Sequence, residues 1–190
     1  MILYLTVIIS GAFLIAAAVS FGFQMPYLQT FGYTALAILL IMLVDGVVAA
    51  CARSLPKKFA DRTKKHFIVS KEEKKFHEKL KIRLWKDKIP ELGHLTGFRK
   101  NKLVDPKSVE YLDRFLLECC YGEIGHFWSV IFGFLIVLFY SLTHTWMALS
   151  IPVALVNGVL NLLPILVLRY NSYKLEILRM SILKRTIIEK

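Results

Sequence analysis

Apolar residues run almost unbroken over positions 2–23, long enough as a helix (roughly 33 Å) to cross a bilayer. A second apolar stretch covers 31–52 and is interrupted only by Asp45. Residues 53–121 then mix basic, acidic and apolar positions. Two further apolar stretches follow, 127–142 and 146–168, separated by Thr143-His144-Thr145. Gln24-Met25-Pro26-Tyr27 separates the first two. The pattern predicts four transmembrane helices arranged as two hairpins. Between them, the spacing of Phe76, Leu80 and Leu84 among charges predicts an amphipathic surface helix over 72–85. Pro90, Gly93 and Gly97 predict a loop. Asp105-Pro106 is expected to open another helix, with Val109, Leu112, Phe115 and Leu116 as its apolar stripe. That helix should run on into the third span, because 127–142 is short for a bilayer.

The expected fold is therefore all-α and polytopic, one membrane domain over 1–190. It comprises a first transmembrane hairpin (1–52), a basic segment with amphipathic cytoplasmic helices (53–121), a second hairpin (122–168) and a basic tail (169–190). Charge placement supports this and adds orientation. All 25 Lys and Arg fall within 53–114 or 169–190, while 1–52 and 127–168 hold a single acid, Asp45. A soluble core only discourages charge; a bilayer excludes it. The formal charge of +11 thus reads as topology and attraction to anionic headgroups, not as nucleic-acid binding. The two short turns carry no Lys or Arg, so they are expected outside, with the basic regions and both termini in the cytoplasm of a multi-pass cell-membrane protein. Ala16-Ala17-Ala18 resembles a signal-peptide cleavage region, but no positive segment precedes the apolar run, which favours a retained span. Cys51, Cys119 and Cys120 do not form a disulfide framework, and no Cys/His spacing matches a zinc site.

The stretch richest in chemistry is Glu118 to Trp128. On a helix at about 100° per residue, Glu118 and Glu123 lie about 80° and about 60° from His126. A carboxylate beside an imidazole orients the ring and raises its basicity, which suits a general base acting on a hydroxyl. The plainer reading is an ordinary solvated pair at a membrane boundary. Metal binding by Glu-x-x-His needs partner helices with similar motifs, and none is evident. In the fourth span, Ala154, Asn157, Gly158 and Asn161 fall on one face. Two amides there avoid lipid, either as interhelical glue or as the wall of a polar pocket. Pro164 also frees the carbonyl of Leu160. Arg169-Tyr170-Asn171 reads first as an interface anchor. Asp45 is a functional candidate by default, with Asn161 or Arg169 as possible partners. Trp85-Lys86-Asp87-Lys88 suits an anionic headgroup, or is simply a basic patch.

With these residues in view, the chain resembles the glycosyl-4,4'-diaponeurosporenoate acyltransferases of carotenoid pigment pathways. The resemblance covers about 53–175. It rests on Leu55-Pro56 before Phe59, on Trp85-Lys86-Asp87-Lys88-Ile89-Pro90, on Glu118 followed by Glu123 and His126, and on Asn161-Leu162-Leu163-Pro164 leading to Arg169-Tyr170-Asn171. Two departures are Ser172, where the family pattern has Arg, and Cys119, where it can have Thr. The resemblance implies a small membrane enzyme that esterifies a sugar of a lipid-like glycoside with a fatty acyl group. It gives His126 the role of base, with Glu123 or Glu118 orienting it. Trp85, Lys86, Lys88, Asn161, Arg169, Tyr170 and Asn171 become substrate-binding candidates. Asn161 or Arg169 would stabilise an oxyanion, and Arg169, Lys86 and Lys88 would hold donor phosphates. The expected partners are membrane lipids and a lipid or glycolipid acceptor. Acyl-CoA or an acyl carrier protein would donate; no bound cofactor and no nucleic acid are expected. The competing reading is a non-enzymatic membrane adaptor or lipid-binding subunit.

Overall fold

The computed structural model describes residues 2–89, 103–139 and 144–188. The expected loop at Pro90, Gly93 and Gly97 lies outside them, as does Thr143 of the second turn. Among the described residues all regular structure is helical. The helices are α1 (Ile2–Phe23), α2 (Tyr27–Ser54), α3 (Lys71–Lys79), α4 (Ile82–Trp85), α5 (Val109–Gly133), α6 (Leu135–Phe139) and α7 (His144–Ile188). Four segments are long and apolar enough to cross a membrane: Tyr4–Phe23, Tyr27–Ser54, Val109–Leu138 and Thr145–Ile188.

The turn between α1 and α2 is built by Gln24, which takes a left-handed φ of 52°. There the Met25 amide donates to the Ser20 carbonyl at 3.1 Å, and the Ser20 hydroxyl donates to the Met25 carbonyl at 2.6 Å. Pro26 follows with φ already set for a helix start. This is why α2 begins at Tyr27, earlier than the apolar stretch alone indicates. The Phe13 and Phe31 rings stack at 5.0 Å across the hairpin.

Three expected boundaries move. The predicted helix over 72–85 is two shorter ones, because Lys81 adopts φ 50° and turns the chain between α3 and α4. Its predicted apolar stripe is exposed, with Phe76, Leu80 and Leu84 facing outward and His77 and Ile82 buried instead. Asp105-Pro106 forms a turn, with the Asp105 carboxylate accepting from the Lys107 amide. The helix starts at Val109, capped by the Ser108 hydroxyl on the Tyr111 amide at 3.1 Å. As expected, α5 then runs on into the third apolar stretch. α7 passes through both Pro152 and Pro164 and into the basic tail as one 45-residue helix.

The chain forms two compact units. One comprises Met1–Cys51 and Gly125–Leu163; the other comprises Ala52–Ile124 and Pro164–Lys190. The core of the first is Val19, Ala37, Ile41, Ile136, Trp146, Leu149, Val153 and Ala154. Within it the Trp146 indole N–H donates to the Ile136 carbonyl at 2.9 Å, so the ring is buried without orphaning its donor. The second unit has an apolar cluster of Leu112, Phe115, Leu116, Cys119, Leu168 and Leu175. Cys120 packs with Ala60 and Phe67 beside it. Both adjacent cysteines are thus buried packing residues.

Candidate functional site

In the first unit, four polar side chains meet among apolar helices. α7 carries Asn157 and Asn161, both less than a tenth exposed. α2 carries Asp45, and α5 carries His126. The Asn161 amide nitrogen donates to Asp45 Oδ2 at 3.1 Å. The carbonyl and the side-chain oxygen of Asn157 also accept from it, each at 3.1 Å. Asn157 in turn donates to Asp45 Oδ1 at 3.5 Å. Three acceptors around one nitrogen fix the amide orientation, so Oδ1 of Asn161 is the atom facing His126 Nδ1, at 2.8 Å. An amide oxygen only accepts, so Nδ1 carries the ring proton and Nε2 is the basic nitrogen. Asp45 thereby sets the tautomer of His126 through Asn161.

Close helix contact makes this possible. A Cβ on Gly133 would sit 2.7 Å from the Asn157 amide nitrogen, so any larger residue there would push Asn157 out of its present position. Gly158, the small residue expected to permit the approach, has open space, its nearest neighbour being Phe134 at 4.0 Å. The carbonyl of Leu160, deprived of its helical donor by Pro164, accepts from the Tyr4 hydroxyl at 3.1 Å. Neither Gly133 nor Tyr4 is marked by local sequence pattern.

In the second unit, Arg169 has all five of its N–H groups engaged. Nε and Nη2 grip the Glu73 carboxylate, the latter at 2.7 Å. Nη1 donates to Glu123 at 2.9 Å and to the His66 carbonyl at 2.8 Å. Nη2 also reaches the Ile68 carbonyl at 3.4 Å. Glu73 is placed by its helix start, where Ser70 caps the Glu73 amide at 3.1 Å. One turn on, His77 Nε2 lies 3.6 Å from Glu73. Burial alone would raise the Glu73 carboxyl, but the bonds and charge of Arg169 outweigh it and hold it below the usual carboxylate range. Burial lowers His77, more than Glu73 raises it, so its imidazole is neutral near pH 7.

Glu123 is engaged by Arg169, and Glu118 by Arg53 at 3.0 Å; Asn161, backed by Asp45, holds the ring of His126 as well. Asn161 and Arg169 were expected to stabilise an oxyanion, yet the donors of both are already committed to the protein. Arg169 for the same reason has none left for a donor phosphate. The Trp85 indole donates to the Leu80 carbonyl at 2.9 Å, bracing the turn at Lys81. Lys86 pairs with Asp87 at 3.3 Å, and Lys88 is exposed. Asn171 is half-buried on α7. Tyr170 lies beside His77, ring centroids 6.4 Å apart, and lines a pocket of about 390 Å³. Glu73 and His77 were missed, although Ser70-x-x-Glu73 is a readable capping box.

A family model described as glycosyl-4,4'-diaponeurosporenoate acyltransferase matches residues 56–180. No curated protein and no solved structure matches the chain. The matched region runs from Pro56 through His126, Asn161 and Arg169, and it spans well over half of the chain. On that match the protein is an enzyme of acyl transfer, and it belongs to the glycosyl-4,4'-diaponeurosporenoate acyltransferase family.

Proposed function

We propose that the protein is a membrane O-acyltransferase that moves a fatty acyl group from a thioester donor, acyl-CoA or acyl carrier protein, to a hydroxyl of a lipid-borne sugar. The observation that carries the mechanism is the Asp45–Asn161–His126 series. Nε2 of His126 takes the proton of the acceptor hydroxyl as its oxygen attacks the thioester carbonyl carbon. The tetrahedral intermediate collapses with cleavage of the C–S bond. The departing thiolate takes the proton back from the imidazolium, leaving ester and free thiol. The interior series lets the ring become cationic, because the Asp45 carboxylate is tied to it through one amide. Direct attack is favoured over a covalent acyl-enzyme on Cys119 or Cys120, the cysteines closest in sequence to His126, since both are buried.

The charge distribution supports a cell-membrane location with the basic segment, the tail and both termini cytoplasmic. The family description and the apolar helices support a glycolipid acceptor of carotenoid or other apolar character. The test is mass spectrometry of lipid extracts from cells expressing the wild type or His126→Ala at matched levels. An acylated glycolipid present with the wild type and missing with the variant supports the reading. An identical product in both would remove His126 as the base.

A further inference from the structure

The pocket of about 390 Å³ in the second unit is lined by Lys74, Lys81, Arg83 and Lys174, with Glu78 as the one acid in its wall. Its volume is that of a small-molecule site. Lys74 makes only a loose pair with Glu78, at 3.8 Å. Among the described residues, no ion pair neutralises Lys81, Arg83 or Lys174. Two of the ammonium groups are held over aromatic faces, Lys174 over Tyr170 at 4.4 Å and Lys74 over Tyr173 at 5.2 Å. Tyr170 and Tyr173 themselves line the pocket, and each carries a hydroxyl able to donate. Lys81 reaches the pocket from a left-handed backbone, a conformation that costs energy in a residue bearing a Cβ. Cations gathered in this way repel one another unless an anion joins them. Leu84, largely exposed, adds apolar surface beside the charges.

We propose that this pocket binds the phosphoryl group of an amphiphilic ligand, held by Lys74, Lys81, Arg83 and Lys174 with Tyr170 and Tyr173 as hydroxyl donors. Two sources present that chemistry: the phosphate groups of a coenzyme A or phosphopantetheine arm, and the headgroup of an anionic phospholipid. Lysine recognises either as a point charge, while Arg83 can grip two oxygens at once. Under the acyltransfer reading the first source is the donor thioester, but the site itself rests only on the pocket.

The test uses the full chain in phosphatidylcholine nanodiscs. Titration calorimetry with coenzyme A is made on the wild type, the double variant Lys81→Gln/Arg83→Gln, the single variant Lys174→Gln, and a charge-matched control, Lys57→Gln/Lys58→Gln. In parallel, retention of phosphatidylglycerol is read by native mass spectrometry from mixed nanodiscs. The expected result is a loss of affinity of tenfold or more for one probe in the pocket variants, under twofold in the control, with a shallower salt dependence. Coenzyme A sensitivity identifies the soluble source; phosphatidylglycerol sensitivity alone identifies the lipid. Equal losses in control and pocket variants, or no binding of either probe, overturn the proposal. Lys81→Gly, which suits the left-handed backbone, repeats the test in a chain that folds without that strain. His126→Ala is included throughout. It binds both probes like the wild type if the pocket is right, whether or not it abolishes acyl transfer.

Discussion

Asn161 presents its amide oxygen to His126 Nδ1 at 2.8 Å while its amide nitrogen faces Asp45 at 3.1 Å. One side chain thus translates a carboxylate two positions away into a fixed histidine tautomer. Replacing His126 with Gln is expected to lower kcat by on the order of 100- to 10,000-fold, the usual contribution of a general base. Turnover at the wild-type rate in that variant would exclude His126 as the proton acceptor.

Asp45 acts only through Asn161, so its loss should weaken rather than abolish turnover. Asp45→Ala removes one of the three acceptors that hold the Asn161 amide nitrogen; kcat should drop by about tenfold, as when an outer orienting group is lost, with KM little changed. Asp45→Asn keeps an acceptor and should restore much of the rate. Equal rates for the two variants would show that the acceptor is immaterial.

Gly133 and Gly158 give a paired comparison. Gly133→Ala drives a Cβ to within 2.7 Å of Asn157 and should destabilise by about 1–3 kcal/mol through overpacking. Gly158→Ala meets nothing closer than 4.0 Å and should be neutral to slightly stabilising, since alanine suits a helix interior better than glycine. Thermal unfolding in detergent checks both; equal midpoints would contradict the packing described.

The second unit should lose stability in acid in two stages. His77 has a lowered pKa in the fold, so the unfolded chain takes up a proton first, and stability falls as pH drops below the ordinary histidine value of about 6.5. Glu73 is held below the carboxylate range, so its contribution is complete above that range and is lost only as pH falls through its folded value. Unfolding midpoints measured from about pH 8 down to about pH 2, a range that brackets both the ordinary histidine value of about 6.5 and the carboxylate range, should therefore show a step near neutrality and a lower one. His77→Phe should remove that step and leave the lower one. A step that survives the substitution would assign it elsewhere.

Gln24 holds a left-handed conformation at φ 52° that glycine adopts freely. Gln24→Gly should stabilise the first hairpin by up to about 1 kcal/mol, reduced by the greater freedom of glycine in the unfolded chain. Gln24→Val, with a branched Cβ, should destabilise it. Unfolding midpoints of the pair would decide, and the reverse order would contradict the turn.

The spans were legible in the sequence because a bilayer imposes one rule along every stretch of chain: apolar for about 20 residues, charged beyond. The all-α class and the four apolar helices follow from the order of residues alone. So does the prominence of His126 and of the amide pair Asn157 and Asn161, since polar groups among apolar ones need partners wherever they end up. Which partners they have is not a local property. Helical spacing put Glu118 and Glu123 near His126; it gave no sign that these carboxylates also pair with Arg53 and Arg169, which lie 65 and 46 residues away in the chain. Asn161 reaches Asp45 across 116 residues. The break at Lys81 depends on a left-handed residue without the glycine that would announce it. Local periodicity reports which face of a helix is polar; only the packing of one helix on another decides which charge meets which. Tertiary structure therefore brought Asn161 to His126, engaged Arg169 within the protein, and gathered four cations from α3, the turn after it, α4 and α7 around one pocket.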